Sequence, residues 1–218
     1  MRFRAMICDL DGTLVDSLAD LGQSMNAVLA QEGLPVHPLP AYRYFVGDGM
    51  EKLAERALPP EWRQPDKVAD MARRMRRLYE AGWANNSAPY EGVPAMLAKA
   101  AARGLALGVL SNKVDELTRV VVAHFFPEVP FAVVAGAKEG VPKKPHPQAA
   151  LAMAGRMGVE PDACIFLGDT AVDMHTAGAA GMHPVGVEWG FREAGELIDA
   201  GARLLLSHPR ELEELLAQ

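Results

Sequence analysis

The stretch FRAMICDLDGT, residues 3–13, contains a short apolar run followed by a turn. Residues 3–10 have the length and apolar content of a buried β-strand, and Asp11-Gly12-Thr13 is a typical turn sequence. Asp9 lies inside the apolar run, where an unpaired charge costs several kcal/mol. We therefore expect a functional reason for the position of Asp9.

Short apolar runs of the same kind recur along the chain and alternate with segments of helical period. The runs lie at 105–110, 131–135, 164–167 and 184–187. The helical segments at 93–103 and 149–157 end at Gly104 and Gly158, which are typical helix terminators. Parallel strands need a crossover between neighbours, and a helix usually provides it. The pattern therefore predicts an α/β fold with a parallel sheet.

Residues 16–89 interrupt this alternation. They contain helical periods, such as the apolar positions between 68 and 79, but no run that resembles a buried strand. The segment NNSAP at 85–89 has the composition of a linker. We therefore predict a core domain formed by 1–15 and 90–218, with an α-helical domain inserted at 16–89.

The composition of the 218 residues is that of an ordinary globular domain, with 50% hydrophobic and 23% charged residues. The net charge of −6 has the wrong sign for a general nucleic-acid binder, because phosphate backbones attract basic surfaces. No apolar run approaches the roughly 18 residues of a membrane span, so we expect no membrane partner and a cytoplasmic protein. Cys8 and Cys164 lie in apolar runs without C-x-x-C spacing, which predicts buried free thiols.

Polar side chains suited to phosphoryl chemistry follow three of the predicted strands. They are Asp9 and Asp11 at the end of the first run, Ser111 and Asn112 after the second, and Asp169 and Asp173 after the run at 164–167. The carboxyl ends of parallel strands form one edge of a sheet, and ligands bind there. Four carboxylates at one edge repel each other unless a cation lies between them, and Mg²⁺ is the simplest such ion with oxygen ligands. Lys144 can add a fixed positive charge at the same edge.

These motifs, taken in order, resemble those of the haloacid-dehalogenase-like (HAD) hydrolase superfamily. They are DLDGTLVDS at 9–17, SNK at 111–113, KP at 144–145, and GDT at 168–170 followed by Asp173. Each motif alone is short, but the ordered set spans the whole chain. The resemblance implies a Rossmann-like parallel-sheet core with an inserted helical cap of type 1. It also implies Mg²⁺ as the cofactor.

The resemblance implies a role for each matching acid. Asp9 attacks the phosphorus atom and becomes an aspartyl phosphate. Asp11 protonates the leaving alkoxide and later takes a proton from the water that hydrolyses the intermediate. A carboxylate oxygen of Asp9, the backbone carbonyl of Asp11 and the carboxylate of Asp169 hold Mg²⁺. Asp173 supports the metal through water or orients Lys144.

The same resemblance implies which groups bind the transferring phosphoryl group. Ser111 and Asn112 contact its oxygens, together with the backbone N–H groups of Gly12 and Asn112. Thr13 belongs to the same phosphate-binding set, and Lys144 neutralises charge on the phosphoryl oxygens.

Several of these neighbouring positions also have purely structural interpretations. Ser111 can cap a helix, and Asp173 can be a favourable first-turn acid. We interpret Lys113 as a solvated neighbour of the site and Asp16 as a cap of the first inserted helix.

Within the superfamily, the chain resembles the phosphoglycolate phosphatases through YFVGDGM at 44–50 and YEGV at 90–93. This likeness implies a phosphatase for a small phosphorylated metabolite, with 2-phosphoglycolate as the first substrate to test, and a cap that closes over the site. Two alternatives stay open: a sugar-phosphate mutase of the β-phosphoglucomutase type, and a signalling receiver module with a phosphorylatable aspartate. We expect a monomer or a homodimer.

Overall fold

Strands and helices alternate along most of the chain in the computed structural model, which describes residues 3–217. The strands are β1 (Ala5–Cys8), β2 (Val15–Asp16), β3 (Ala88–Pro89), β4 (Ala106–Val114), β5 (Phe131–Ala137), β6 (Cys164–Gly168), β7 (His183–Val187) and β8 (Leu204–Leu206). The α-helices are α1 (Leu18–Gln31), α2 (Met50–Ala57), α3 (Pro65–Gly82), α4 (Val93–Ala102), α5 (Asp115–Phe125), α6 (Gln148–Met157), α7 (Ala171–Ala179), α8 (Ala194–Asp199) and α9 (Leu212–Ala217). The chain divides into one unit formed by 1–15 with 89–218 and a second formed by 16–88.

Six strands of the larger unit form one parallel sheet in the order β5-β4-β1-β6-β7-β8. The predicted α/β fold class with a parallel sheet is therefore confirmed. Within the sheet, Cys8 of β1 is in register with Val109 of β4 and with Leu167 of β6. The residues that follow these three positions consequently reach the same edge of the sheet.

Two features of the sheet differ from the expectation. β4 continues past residue 110 to Val114, so the motif at 111–113 lies within a strand rather than after it. The sequence pattern also does not predict β8, because its three residues, of which only Leu206 is buried, are too few to form a recognisable apolar run.

A buried apolar cluster fixes one face of the sheet against helices. Ile7 of β1 and Phe166 of β6 are fully buried in it, together with Met153 of α6 and Ala177 of α7. Successive residues of a strand point to opposite faces, so each strand supplies every second side chain to this cluster. Burying a large apolar side chain contributes about 1.5–3 kcal/mol. The strands whose ends carry the motifs are therefore held in place by a well-packed core.

Two further sequence-based expectations concern the cysteines and membrane spans. Cys8 and Cys164 are buried free thiols, as predicted. Burial raises the pKa of the Cys164 thiol to about 11, so it is protonated at neutral pH. Within residues 3–217, no helix combines the length and the apolar character that a membrane crossing requires.

The unit formed by 16–88 is helical, with α1 and α2 both packed against α3. Met25 of α1 and Met75 of α3 are fully buried. The apolar periodicity between 68 and 79 correctly predicts a helix, which extends from Pro65 to Gly82. The N-cap of α1 is Ser17 rather than the predicted Asp16, which precedes the cap and accepts a hydrogen bond from the Leu18 N–H at 3.2 Å.

Asp20 of α1 ties the beginning of this helical unit to its end. Its carboxylate accepts hydrogen bonds from the backbone N–H groups of Asn86 and Ser87 at 3.0 and 2.8 Å, and from both of their side chains at 2.7 Å. Burial by itself raises the pKa of Asp20, but the hydrogen bonds from Ser87 and Asn86 outweigh it, and the pKa lies below its usual value. The ionised carboxylate therefore stabilises this unit.

Replacing Asp20 with asparagine is expected to lower the free energy of unfolding by about 2–3 kcal/mol at neutral pH, because the donors on Ser87 lose a charged acceptor. Since the pKa is lowered in the folded state, this stabilisation is present above the unfolded pKa of about 3.9. It is lost as the pH falls through the folded pKa. Urea unfolding of both proteins between pH 3 and pH 7 measures the difference.

Asp70→Asn is the matched control, because Asp70 forms an exposed ion pair with Arg73 on α3. Such surface pairs contribute about 0–1 kcal/mol. The interpretation of Asp20 is wrong if both variants are equally stable, or if the effect of Asp20→Asn grows rather than shrinks below pH 4.

Candidate active site

Three neighbouring strands bring the sequence motifs together at the carboxyl edge of the sheet. Asp9 directly follows β1, Ser111 lies near the end of β4, and Asp169 directly follows β6. The Asp9 N–H donates to the carbonyl of Leu167 at 2.9 Å, so strand pairing continues up to the aspartate. All three side chains are buried, and none of these residues is more than 6% exposed.

The carboxylates of Asp9, Asp169 and Asp173 converge, and each offers an oxygen within 4.8 Å of the others. The Lys144 Nζ lies 2.8 Å from Asp9 Oδ1 and 2.7 Å from Asp173 Oδ1. The lysine side chain is only 2% exposed, so these contacts are made in a medium of low dielectric. A single ammonium cannot neutralise three carboxylates, so the cluster would carry an excess of negative charge if all three were ionised.

Burial and mutual repulsion shift the protonation of this cluster. Burial raises the pKa of Asp9 to about 7, with Lys144 opposing the rise and Asp173 adding to it. Burial also raises the pKa of Asp169 well above its usual value, and the charges of Asp173 and Asp9 act in the same direction. For Lys144, burial lowers the pKa, but Asp173 and Asp9 outweigh burial and the pKa lies above its usual value. The carboxylates therefore favour a bound proton or cation, while the lysine stays charged.

Asp173 combines a structural and an electrostatic contact. It is the third residue of α7, and its Oδ2 accepts hydrogen bonds from the Thr170 N–H at 3.1 Å and the Thr170 hydroxyl at 2.7 Å. This arrangement is a capping box. The other oxygen, Oδ1, accepts a hydrogen bond from the Lys144 Nζ. Asp173 therefore lies in the first turn of a helix and also contacts Lys144. The close packing requires Gly168, because a Cβ there would lie 2.2 Å from the Cβ of Asp173.

Two distant segments hold the carboxylate of Asp169. Its Oδ1 accepts a hydrogen bond from the Thr13 hydroxyl at 2.8 Å, and its Oδ2 accepts one from the Phe191 N–H at 2.9 Å. The indole N–H of Trp189 donates to the Thr13 carbonyl at 3.0 Å and ties the two segments together. No sequence motif marks the loop 189–191, although it follows the apolar run at 184–187, and ligands bind where parallel strands end.

Gly12 is required by the turn that follows β1. Its φ of +91° lies in the left-handed region, and a Cβ would meet Asp169 Oδ2 at 2.2 Å. We expected its N–H to bind a phosphoryl oxygen, but this N–H donates instead to the Val15 carbonyl at 2.9 Å, because the turn closes on itself. The Thr13 hydroxyl, expected in the phosphate-binding set, donates to Asp169.

An irregular stretch of β4 carries the second motif. Leu110 pairs with Ala135 and Val114 pairs with Ala137, so four steps along β4 match two along β5. Such a bulge releases the peptide groups of 111–113 from the regular ladder and re-aims their side chains. The interpretation of Ser111 as a helix cap is wrong, because Val114 precedes α5.

The Asn112 side chain is fixed to the backbone of Lys144. Its Oδ1 accepts a hydrogen bond from the Lys144 N–H at 2.9 Å, and its Nδ2 donates to the Lys144 carbonyl at 3.1 Å. The peptide bond between Lys144 and Pro145 is cis. Asn112, expected on the phosphoryl group, thus directs its side chain to the segment that carries the buried lysine.

The expectation that the Lys113 side chain is solvated is wrong. It is 3% exposed, and its Nζ donates to both carboxylate oxygens of Asp11 at 2.6 Å. In the part of the chain that the structure describes, Asp11 is not among the acids that converge around Lys144. The contact joins positions 102 residues apart, so no local pattern indicates it.

The donor set fits a hard divalent cation. Asp9 and Asp169 present carboxylate oxygens, the ligands that Mg²⁺ prefers, in a buried cluster with excess negative charge. The two oxygens of Asp173 already contact Lys144 and Thr170, which suits a supporting position better than a direct ligand.

The ordered motifs, the parallel sheet and the buried acids around a lysine define a known class of hydrolase. The family model of the haloacid dehalogenase-like hydrolases matches residues 6–187. The chain therefore belongs to the haloacid dehalogenase-like hydrolases, and both the predicted family and the predicted hydrolase class are confirmed. Membership of this family favours an enzyme over the receiver-module alternative.

Within this family, the chain is similar to phosphoglycolate phosphatases, as the resemblance predicted. The phosphoglycolate phosphatase of Xanthomonas campestris pv. campestris is 32% identical over 227 residues, covering 98% of this chain and 97% of the relative. That of Yersinia pestis is 30% identical over 213 residues, covering 96% and 91%. A solved structure from Lactobacillus delbrueckii subsp. bulgaricus matches with a TM-score of 0.93 at 26% identity and covers 99% of both chains.

Replacing Gly190 with alanine is expected to destabilise the protein, because the added Cβ would lie 2.2 Å from the Cβ of Asp169 and 2.4 Å from the Gly12 carbonyl oxygen. Overpacking of this kind costs about 1–3 kcal/mol or more. Unfolding in guanidinium chloride measures the loss.

Gly178→Ala is the control, because a Cβ at this position of α7 meets no atom within 4 Å. Alanine in a helix is more stable than glycine by about 0.5–1 kcal/mol. Equal stabilities for the two variants would show that the loop after β7 does not press on Asp169.

Proposed function

We propose that the chain is a Mg²⁺-dependent phosphatase that hydrolyses a small phosphomonoester, 2-phosphoglycolate, through an aspartyl phosphate. The observation that carries the proposal is the buried cluster of Asp9, Asp169 and Asp173 around Lys144. The names of similar proteins, the phosphoglycolate phosphatases of Xanthomonas and Yersinia, support the choice of substrate.

In this proposal, carboxylate oxygens of Asp9 and Asp169 and the backbone carbonyl of Asp11 hold Mg²⁺, and Asp173 supports the site through water. Bound Mg²⁺ would supply positive charge next to the phosphoryl oxygens, where negative charge develops. The Thr13 hydroxyl orients Asp169 before the cation binds. Supporting contacts of this kind fix ligand orientation in metal sites.

Asp9 is the proposed nucleophile. One of its oxygens forms a bond to phosphorus, the bond from phosphorus to the leaving oxygen breaks, and an aspartyl phosphate results. Lys144, at 2.8 Å from Asp9, favours the ionised carboxylate and neutralises charge on the transferred group. Hydrolysis of phosphate monoesters is among the slowest uncatalysed reactions, so such contacts together must supply upwards of ~20 kcal/mol.

Asp11 is the proposed general acid and base. It gives a proton to the leaving alkoxide in the first step, and takes one from the attacking water in the second. The Ser111 hydroxyl and the backbone N–H of Asn112 are the proposed contacts to the phosphoryl oxygens, since the bulge in β4 turns this stretch away from the ladder.

We also infer that the helical unit of 16–88 is a cap. It is inserted in the sequence between the first motif and the rest of the larger unit. A cap excludes bulk water from the reaction and presents groups that select the substrate.

Asp9→Asn is expected to lower kcat for 2-phosphoglycolate by about 10⁴-fold or more, because an amide is not a competent nucleophile. The fold is expected to persist, since the substitution removes a charge from a repulsive cluster. Release of inorganic phosphate, with and without Mg²⁺, measures the reaction, and circular dichroism checks the fold.

Chelation with EDTA is expected to abolish turnover of the wild-type protein, and added Mg²⁺ to restore it. The proposal is overturned if hydrolysis proceeds without metal or if Asp9→Asn retains activity. Incubation with β-glucose 1-phosphate tests the mutase alternative, for which glucose 6-phosphate rather than inorganic phosphate is the product.

The pH dependence of stability gives a second test that does not need turnover. Without metal, the pKa of Asp9 is raised to about 7 in the folded state, above its unfolded value. The folded state therefore binds the proton more tightly, and this stabilisation is lost as the pH rises through about 7. In EDTA, the wild-type protein should lose stability relative to Asp9→Asn as the pH rises from about 4 to about 7. Added Mg²⁺ should reduce that loss, and an unchanged slope would argue against cation binding.

A further inference from the structure

The ion pair between Lys113 and Asp11 has no part in the mechanism proposed above. Lys113 is 3% exposed and Asp11 is 13% exposed, and the Nζ lies 2.6 Å from both carboxylate oxygens. An ammonium that contacts both oxygens of a carboxylate restricts rotation of that group about its last side-chain bond, which is otherwise soft.

The two buried lysines serve different acids. Lys144 contacts Asp9 and Asp173, whereas Lys113 contacts Asp11. The proposed nucleophile and the proposed general acid therefore each have their own fixed cation.

The backbone of Lys113 is itself held on several sides. Its N–H donates to the Ser111 hydroxyl oxygen at 3.2 Å, and its carbonyl accepts a hydrogen bond from the Thr118 hydroxyl at 3.2 Å. A Cβ on Gly136 would lie 2.5 Å from the Lys113 carbonyl oxygen, so β5 approaches as closely as a glycine permits. These contacts fix the backbone from which the Lys113 side chain reaches Asp11.

Stability alone does not explain this pair. Removing two charges from water is costly, and a buried ion pair is often no more stable than an apolar pair of similar volume. An ionised carboxylate has about four lone-pair sites, of which one ammonium occupies at most two. The contact with Lys113 therefore does not by itself prevent proton exchange between Asp11 and a leaving oxygen or water.

We propose that Lys113 is a positioning residue that holds the Asp11 carboxylate in the orientation needed for proton transfer. This inference rests on the proposed phosphatase function. In the first step, Asp11 carries a proton on one oxygen and is held by Lys113 through the other, and it gives this proton to the leaving oxygen as the bond to phosphorus breaks. In the second, Asp11 takes a proton from water as the water oxygen bonds to phosphorus. A misplacement of about 1 Å in such a group can cost about 10²-fold in rate.

The test compares a poor with a good leaving group in Lys113→Met. Turnover of 2-phosphoglycolate, whose alkoxide needs a proton, is expected to fall about 10²-fold in kcat with little change in KM. The 4-nitrophenolate burst from 4-nitrophenyl phosphate is expected to fall far less, because this leaving group departs without protonation. Lys113→Arg should recover part of the loss, since it keeps the charge.

A double-mutant cycle checks that the effect acts through Asp11. In the Asp11→Asn background, Lys113→Met should have no additional effect on turnover. Lys99→Met is the matched control, because Lys99 forms an exposed pair with Glu213, and it should behave as the wild type. Thermal unfolding of every variant identifies any loss of folded protein.

The outcomes separate the hypotheses. Equal losses for both leaving groups, a rise in KM at constant kcat, or a lower melting temperature with unchanged kcat would each overturn the positioning role. So would an additive loss in the Asp11→Asn background.

If the folded wild-type protein hydrolyses neither phosphate ester, the proposed function itself fails, and that result is distinct from a selective loss in Lys113→Met. If Lys113→Met does not fold, the leaving-group comparison in Lys113→Arg decides, with a selective loss expected from its altered donor geometry.

Discussion

Charge repulsion among buried carboxylates is the constraint that shapes the larger unit of this protein. Asp9, Asp169 and Asp173 lie within a few ångströms of each other at the edge of the sheet, and Lys144 offsets only part of their charge. A buried charge is tolerated only when it is paired and hydrogen-bonded. The surrounding chain therefore supplies partners from the turn after β1, the loop after β7 and the start of α7.

The close approach of these segments depends on the absence of side chains at three positions. A Cβ at Gly12, Gly168 or Gly190 would come within 2.2 Å of an atom of Asp169 or Asp173. Each of these glycines lets a backbone pass where a methyl group would force the carboxylate to move. The hydrogen bonds that orient the acids depend on this close packing, which only glycine allows at the three positions. A change in one would therefore require a change in the other.

The same edge shows how one sheet can give similar acids different environments. Asp9 and Asp11 are two residues apart, yet Asp9 faces Lys144 and the acid cluster, whereas Asp11 faces Lys113. Acids in distinct environments can take distinct chemical roles, one as nucleophile and the other in proton transfer. The bulge in β4 contributes to this difference, because it carries Lys113 and also Asn112, whose side chain is hydrogen-bonded to the backbone of Lys144.

The sequence by itself determined the alternation of strands and helices, the family and the strand ends at which the acids of the motifs lie. These features depend on local periodicity and on motifs, which a single chain displays directly. Tertiary structure alone decided that Lys113 is buried against Asp11, that the Gly12 N–H closes its own turn, and that the loop 189–191 holds Asp169. The physical reason is that the contacts of Lys113 and of the loop join residues 102 and 22 positions apart, and their formation depends on sheet order and close packing rather than on any pattern of neighbouring residues. The Gly12 bond is local, but several donors compete within a tight turn, and only the folded backbone selects one of them.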